Sequence, residues 1–298
     1  MNYKQLGRSD LQISEIGFGC MSLKDSPQEN ERILHRATEL GINYFDTADL
    51  YDKGMNETYV GNALKHKRDK VVLATKVGNQ WRPDGSGFDW NPKKEYILNS
   101  VEGSLKRLQT DYIDLYQLHG GTMEDPIDET IEAFETLQQQ GKIRYYGISS
   151  IRPNVIREFV QRSNIVSVMM QYSLLDRRPE ETCFPLLQKN NIGVLARGSV
   201  AQGLLINKPA KAYLNYNEEE VKQAAKAVAS LSSNQRSAAQ TALQFVLQNP
   251  TVTSVVAGIR TLEQLEDAVK TVSTPCLTPD EMETLQQAVK INYYDQHR

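Results

Sequence analysis

The 298-residue chain reads as an α/β protein, a (β/α)8 barrel of the TIM-barrel class with an N-terminal hairpin and extra helices. Three observations predict this. Short apolar runs alternate with longer segments of helical period, eight times over. Titratable residues, Asp46, Lys76 and His119, stand at or near the ends of three successive apolar runs, where a parallel barrel assembles its active site. The length suits one barrel of roughly 250 residues plus decorations, so residues 1–298 are expected to form a single domain. A doubly wound open sheet is the alternative architecture.

Ahead of the repeat, Tyr3–Leu6 and Leu11–Ser14 are joined by Gly7-Arg8-Ser9-Asp10 and form a short hairpin. Strand Ile16–Cys20 opens the first unit. Its helix runs from about Gln28 to Leu40, with Ile33, Leu34, Ala37 and Leu40 on one face and Gly41 as the stop signal. Tyr44–Ala48 precedes a short helix near Glu57–Lys65, and Val71–Val77 precedes a longer one, Lys94–Gln109. Ile113–His119 leads to Ile127–Gln140, closed by Gly141, and Tyr145–Ser150 leads to Asn154–Arg162. Val166–Tyr172 is paired with Glu180–Asn190, Gly193–Arg197 with Glu218–Leu231, and Ser254–Ile259 with Leu262–Thr271. Helices Ala238–Gln248 and Asp280–Ile291 fall outside the repeat. No Pro-, Gly- or Ser-rich linker divides the chain.

Composition narrows the partners. The 34 basic and 37 acidic residues are well mixed and leave a net charge of −3, which gives a nucleic-acid backbone or an anionic membrane nothing to hold. Cys20, Cys183 and Cys276 are too few and scattered for a disulfide framework or a structural zinc site, so a reducing cytoplasm is the expected location. No apolar run approaches the ~18 residues that span a bilayer. The expected partner is a small molecule, and the expected state a monomer. No residue cluster calls for a metal.

The strand-end residues suggest a chemistry. Reducing a carbonyl requires a hydride donor and an acid for the nascent alkoxide, and a free tyrosine, with a pKa of about 10, is a weak one. An ammonium beside Tyr51 would stabilise its phenolate. Lys76 is suited to this, with Asp46 holding the lysine charged through a charge-assisted hydrogen bond. A neutral His119 could orient the substrate oxygen by donating one N–H. Taken singly, each residue also reads as an ordinary turn, cap or loop side chain; their shared position at carboxyl ends of strands argues for a site.

The run Asn43-Tyr44-Phe45-Asp46-Thr47-Ala48-Asp49-Leu50-Tyr51, followed by Gly54, Glu57 and Gly61, resembles the signature of the aldo-keto reductases. Ala74-Thr75-Lys76 and Leu115-Tyr116-Gln117-Leu118-His119 resemble the family's next two catalytic segments. The resemblance covers nearly the whole chain and implies a (β/α)8 barrel that reduces aldehydes or ketones with NAD(P)H. It implies Tyr51 as the acid, Lys76 and Asp46 as its activating pair, and His119 as the orienting residue.

It also implies where the cofactor lies. The backbone at Cys20 and Met21 resembles the stretch beside the nicotinamide ribose, with Asp46 close by. Ser149, Ser150 and Gln171 end the fifth and sixth strands, where polar side chains can fix the carboxamide; Ser150 stands where the family usually has Asn. Arg197 stands where many relatives stack an aromatic on the nicotinamide, a task a guanidinium plane can also perform. Gly198, Ser199, Gln202, Gly203, Leu204 and Lys208 resemble the loop that crosses the pyrophosphate. Gly258, Arg260, Thr261, Gln264 and Asp267 resemble the adenosine-phosphate segment, and Arg260 at a helix N-terminus favours NADPH over NADH.

On the substrate side, Asn79–Pro92 carries Trp81, Phe88 and Trp90 and reads as a loop over the catalytic end, with Gly85 and Gly87 as flexible points. It suits an apolar carbonyl substrate. The sequence also admits two competing readings. One is a cofactor-sensing subunit like the β subunits of potassium channels, which the resemblance also reaches. The other is a barrel hydrolase or lyase without nicotinamide.

Overall fold

The computed structural model describes residues 1–298. Strands β1 (Tyr3–Gln5) and β2 (Gln12–Ser14) pair antiparallel as the expected hairpin. The barrel strands are β3 (Ile16–Gly19), β4 (Tyr44–Asp46) and β5 (Val72–Val77), then, beyond a second hairpin of β6 (Asn79–Trp81) and β7 (Phe88–Trp90), β8 (Ile113–Leu118), β9 (Ile143–Ser149), β10 (Ser167–Gln171), β11 (Gly193–Arg197) and β12 (Val252–Gly258). All eight pair in parallel and close in the order β10-β11-β12-β3-β4-β5-β8-β9. The open-sheet alternative is thereby excluded.

Two apolar layers hold the barrel, because a strand's side chains alternate between its faces. Tyr44, Val72, Ala74, Leu115, Met169 and Leu195 fill the interior, and Leu6, Leu11 and Ile13 from the N-terminal hairpin pack with them as a plug. Outward-facing residues such as Phe45, Leu73, Tyr116 and Val168 meet the surrounding helices in a larger core. These helices are α1 (Pro27–Glu39), α2 (Met55–Leu64), α3 (Lys94–Leu108), α4 (Ile127–Gln139), α5 (Pro153–Arg162), α6 (Cys183–Lys189), α7 (Glu218–Ser230), α8 (Ala238–Leu247), α9 (Leu262–Lys270) and α10 (Pro279–Gln287). None is long and apolar enough to cross a membrane. Capping boxes at Asn217/Glu220, Ser237/Gln240 and Thr278/Glu281 start α7, α8 and α10 by satisfying their first free N–H groups.

Several elements differ from expectation. Residues 79–92 hold the β6–β7 hairpin rather than an open loop, with Trp81 edge-on to Phe88 at 5.7 Å and Arg82 bonded to Asp89. Helix α6 starts at Cys183 rather than Glu180, since Arg178–Glu180 forms a separate 3-10 turn. Helix α10 stops at Gln287, and the following tail is held by other contacts: Asn292 Oδ1 accepts from Arg177 N and Tyr216 OH donates to Lys290 O.

Candidate active site

Closure of the barrel sorts the singled-out residues into two arcs of its rim. Asp46 ends β4, Tyr51 follows it, Lys76 lies near the end of β5, and His119 directly follows β8; these are consecutive neighbours in the sheet. The remaining segments follow β9, β10, β11, β12 and β3, which complete the ring.

Within the first arc the side chains meet. Tyr44 and Asp46, Ala74 and Lys76, and Leu115 and Gln117 are two-residue steps along inward faces, so Asp46, Lys76 and Gln117 stand above the apolar filling. Lys76 Nζ donates to Asp46 Oδ1 at 2.5 Å, to Thr47 O at 2.6 Å and to Tyr51 OH at 3.5 Å. Gln117 Nε2 donates to Asp46 Oδ2 at 3.2 Å, and Tyr44 OH approaches the same oxygen at 3.5 Å. The Tyr51 and His119 rings meet edge to face, 5.7 Å between centroids.

The electrostatics fit this geometry. Burial opposes the Lys76 charge, but Asp46 and the Tyr51 oxygen outweigh it and raise its pKa above the ordinary lysine value. Lys76 is therefore an ammonium at neutral pH. Burial lifts Asp46 above the ordinary carboxylate value, against the pull of Lys76 and of hydrogen bonds from Lys76 and Gln117. His119 is pushed down to about 3, chiefly by burial and then by the charges of Lys76 and Arg197. Its imidazole is neutral, and its Nδ1 is buried without a partner.

Along the second arc, Arg197 Nη1 donates to Gln171 Oε1 at 3.2 Å, and Gln171 Nε2 donates to Tyr213 OH at 2.9 Å. Ser149 ends β9; the neighbouring Ser150 Oγ accepts from Arg152 N at 3.2 Å. Gly198 and Ser199 leave β11, and the Ser199 hydroxyl is buried without a partner. Gln202 and Gly203 form a tight turn with positive φ, and the Lys208 stem lies alongside Gly203. Met21 is 65% exposed at the rim. Gly258 ends β12; Arg260 N donates to Gln264 Oε1, and Thr261 caps α9 by accepting from Gln264 N.

Three of these residues do not turn their side chains to the rim. Cys20 and Leu204 are buried in the outer core, leaving only their backbones for a ligand. Asp267 binds Ser237 Oγ and Gln240 Nε2 across the α8–α9 contact. Conversely, Gln117 and Thr47 join the Asp46–Lys76 cluster through hydrogen bonds, although the sequence motif points to neither. Gln117 carried a readable signal, a polar residue two positions before His119 inside an apolar strand.

A sequence model described as the aldo/keto reductase family matches residues 15–290. The chain is 52% identical over the full length of both sequences to the uncharacterized oxidoreductase YqkF of Bacillus subtilis (strain 168). It is 34% identical to the NADH-specific methylglyoxal reductase of Escherichia coli (strain K12), covering 70% of each chain. Among solved structures, the holo form of aldo-keto reductase AKR11C1 from Bacillus halodurans superposes with a TM-score of 0.94 at 52% identity, over 100% of this chain and 99% of that one. These matches favour an oxidoreductase over the channel-subunit alternative. With the closed barrel and the match over nearly its whole length, the chain belongs to the aldo/keto reductase family of oxidoreductases.

Proposed function

We propose that the protein is an NADPH-dependent reductase of aldehydes or ketones, with Tyr51 as the general acid. The observation that carries this reading is the Lys76 ammonium, bonded to Asp46 and 3.5 Å from the Tyr51 hydroxyl, with His119 across the Tyr51 ring.

The second arc suits a dinucleotide. The unpartnered Ser199 hydroxyl, the amide of Gln171 and the cations Arg197, Lys208 and Arg260 offer donors for a carboxamide and for phosphates. The Escherichia coli relative is named for NADH, so the preference for NADPH rests on this chain's Arg260 at the start of α9.

NADPH, held along the second arc by residues such as Gln171, Arg197, Ser199 and Arg260, would supply a hydride for the carbonyl carbon. Tyr51 gives its phenolic proton to the carbonyl oxygen as negative charge develops there. Lys76 stabilises the phenolate left behind, and Asp46 keeps Lys76 charged and in position. Neutral His119 donates a hydrogen bond to the same oxygen without adding a second cation to a buried site. The aromatic hairpin beside the site, with Phe88 48% exposed, suits an apolar substrate.

The test is NADPH consumption by purified protein with a panel of aldehydes, dicarbonyls and quinones. Turnover that falls at least a thousandfold in Tyr51→Phe, with NADPH affinity kept, is the expected result. Absence of turnover with every carbonyl would sink the proposal; parallel loss of NADPH binding in Tyr51→Phe would make Tyr51 structural.

A further inference from the structure

Tyr51 sits at the entrance of an unusual backbone. Asp52 and Lys53 have φ of 49° and 52°, and Gly54 has φ of 87°, so three consecutive residues after Tyr51 are left-handed. Asp tolerates this conformation better than most residues, but Lys53 does not, and such a run persists only where the surroundings impose it.

Tyr59 OH donates to Asp52 Oδ2 at 3.4 Å and Arg107 lies against Gly54, while the β6–β7 hairpin holds the residues on either side of Asp52. Trp81 Nε1 donates at 3.1 Å to Leu50 O, the carbonyl of the peptide that carries Tyr51. The Lys53 ammonium lies 5.3 Å from the centroid of the Trp81 ring. Two residues away on the same strand, Asn79 Nδ2 donates at 3.2 Å to the carbonyl of His119. On the partner strand, Trp90 lies against Gly78 and Gly120 and donates from Nε1 to Asp125 Oδ1 at 2.9 Å. Asp125 in turn accepts from Thr122 N and Thr122 Oγ1.

One hairpin thus grips the chain on both sides of the reacting position. We propose that it is a brace that sets Tyr51 and His119 relative to one another, with Trp81 and Asn79 as positioning residues rather than only a wall for the substrate. This rests on the carbonyl-reductase reading for its kinetic consequences, but not for its structural ones.

The two roles of Trp81 separate in Trp81→Phe, which keeps an aromatic ring and removes the indole N–H. A brace acts on every substrate, because a displaced acid slows proton transfer regardless of what is bound; a misplacement of about 1 Å can cost roughly a hundredfold. The expected result is a fall in kcat of about tenfold or more, equal for a small polar and a long apolar aldehyde, with little change in KM. Asn79→Ser should give the same pattern. A wall predicts a rise in KM that grows with the apolar length of the substrate, and this result would overturn the proposal.

A second readout needs no turnover. With ring-labelled 13C-tyrosine and the Tyr51 signal assigned by Tyr51→Phe, the brace predicts that Trp81→Phe and Asn79→Ser each shift or broaden that signal, since its environment includes the His119 ring. A Tyr51 signal unchanged in both variants would overturn the brace even if the enzyme is active. Were no carbonyl to turn over, a shifted signal would still support the brace and leave only the functional reading in error.

Discussion

Lys76 Nζ and Asp46 Oδ1 stand 2.5 Å apart inside the barrel, with 1% and 5% of their side chains exposed. Removing two charges from water costs several kcal/mol each, and the pair recovers this only through near-ideal geometry and further hydrogen bonds, here from Gln117 and to Thr47 O. Two well-packed apolar residues would serve stability at least as well. The pair is therefore better explained by the proposed proton transfer at Tyr51 than by folding.

Breaking the pair should nevertheless be costly. Lys76→Met leaves the Asp46 carboxylate buried with Gln117 and Tyr44 as its remaining donors, and stability should fall by about 3–5 kcal/mol. Adding Asp46→Asn removes the stranded charge and should restore a substantial part. Urea unfolding of the wild type, single and double variants checks this; a double variant no more stable than Lys76→Met would mean that lost packing, not charge, is responsible.

His119 should make the fold sensitive to acid. Its folded pKa is pushed down to about 3 from an ordinary 6.5, so between these values the unfolded chain binds a proton that the folded chain refuses. Stability from this group is complete above about pH 6.5 and is lost as pH falls, at up to about 1.4 kcal/mol per pH unit. The slope of unfolding free energy against pH between 4 and 6 should be shallower by about that amount in His119→Gln. Equal slopes would mean that the native imidazole accepts a proton readily.

Gly61 offers a reversal of ordinary helix propensity. It lies in α2, where Ala would normally be favoured over Gly by about 1 kcal/mol. A Cβ there would stand 2.4 Å from Arg107 O and 2.8 Å from Leu108 Cα, both backbone atoms of α3. Gly61→Ala must push the helices apart and should destabilise the protein by about 1–3 kcal/mol. The same contact brings Arg107 to Glu57, which is fully buried and bonded to it at 2.6 Å and to Thr75 Oγ1 at 2.5 Å. A higher melting temperature for Gly61→Ala would show that the interface yields easily.

What could be read from the sequence was what local pattern encodes. Gly193–Arg197 has the same bounds in the fold, and the apolar run Ile113–His119 forms strand Ile113–Leu118 with His119 directly after it. The convergence of Asp46, Tyr51, Lys76 and His119 was legible because strand ends in a parallel barrel must converge. Features made by distant contacts were not. Asp267 suggested an adenosine contact, yet its carboxylate is bound by Ser237 and Gln240 from a helix some thirty residues earlier in the chain. The β6–β7 hairpin was hidden because it is secured by partners outside it, Leu50, His119 and Asp125, which no pattern within residues 79–92 reveals.

Cofactor choice should depend on Arg260. The residue is exposed at the start of α9, with its own N–H engaged by Gln264 and the helix capped by Thr261. A 2′-phosphate there would meet both the guanidinium and the positive end of the helix, whereas the 2′-hydroxyl of NADH carries no charge for either to bind. Hydrogen bonds to charged groups contribute about 1.5–3 kcal/mol each. Arg260→Ala should therefore weaken NADPH binding by about tenfold to a hundredfold and leave NADH nearly unchanged. The wild-type preference should also shrink as ionic strength rises, because the contact is exposed to screening. Titration of intrinsic tryptophan fluorescence with each dinucleotide reads both effects. Equal losses for NADPH and NADH would place the role of Arg260 in helix or loop structure and remove the basis for assigning NADPH.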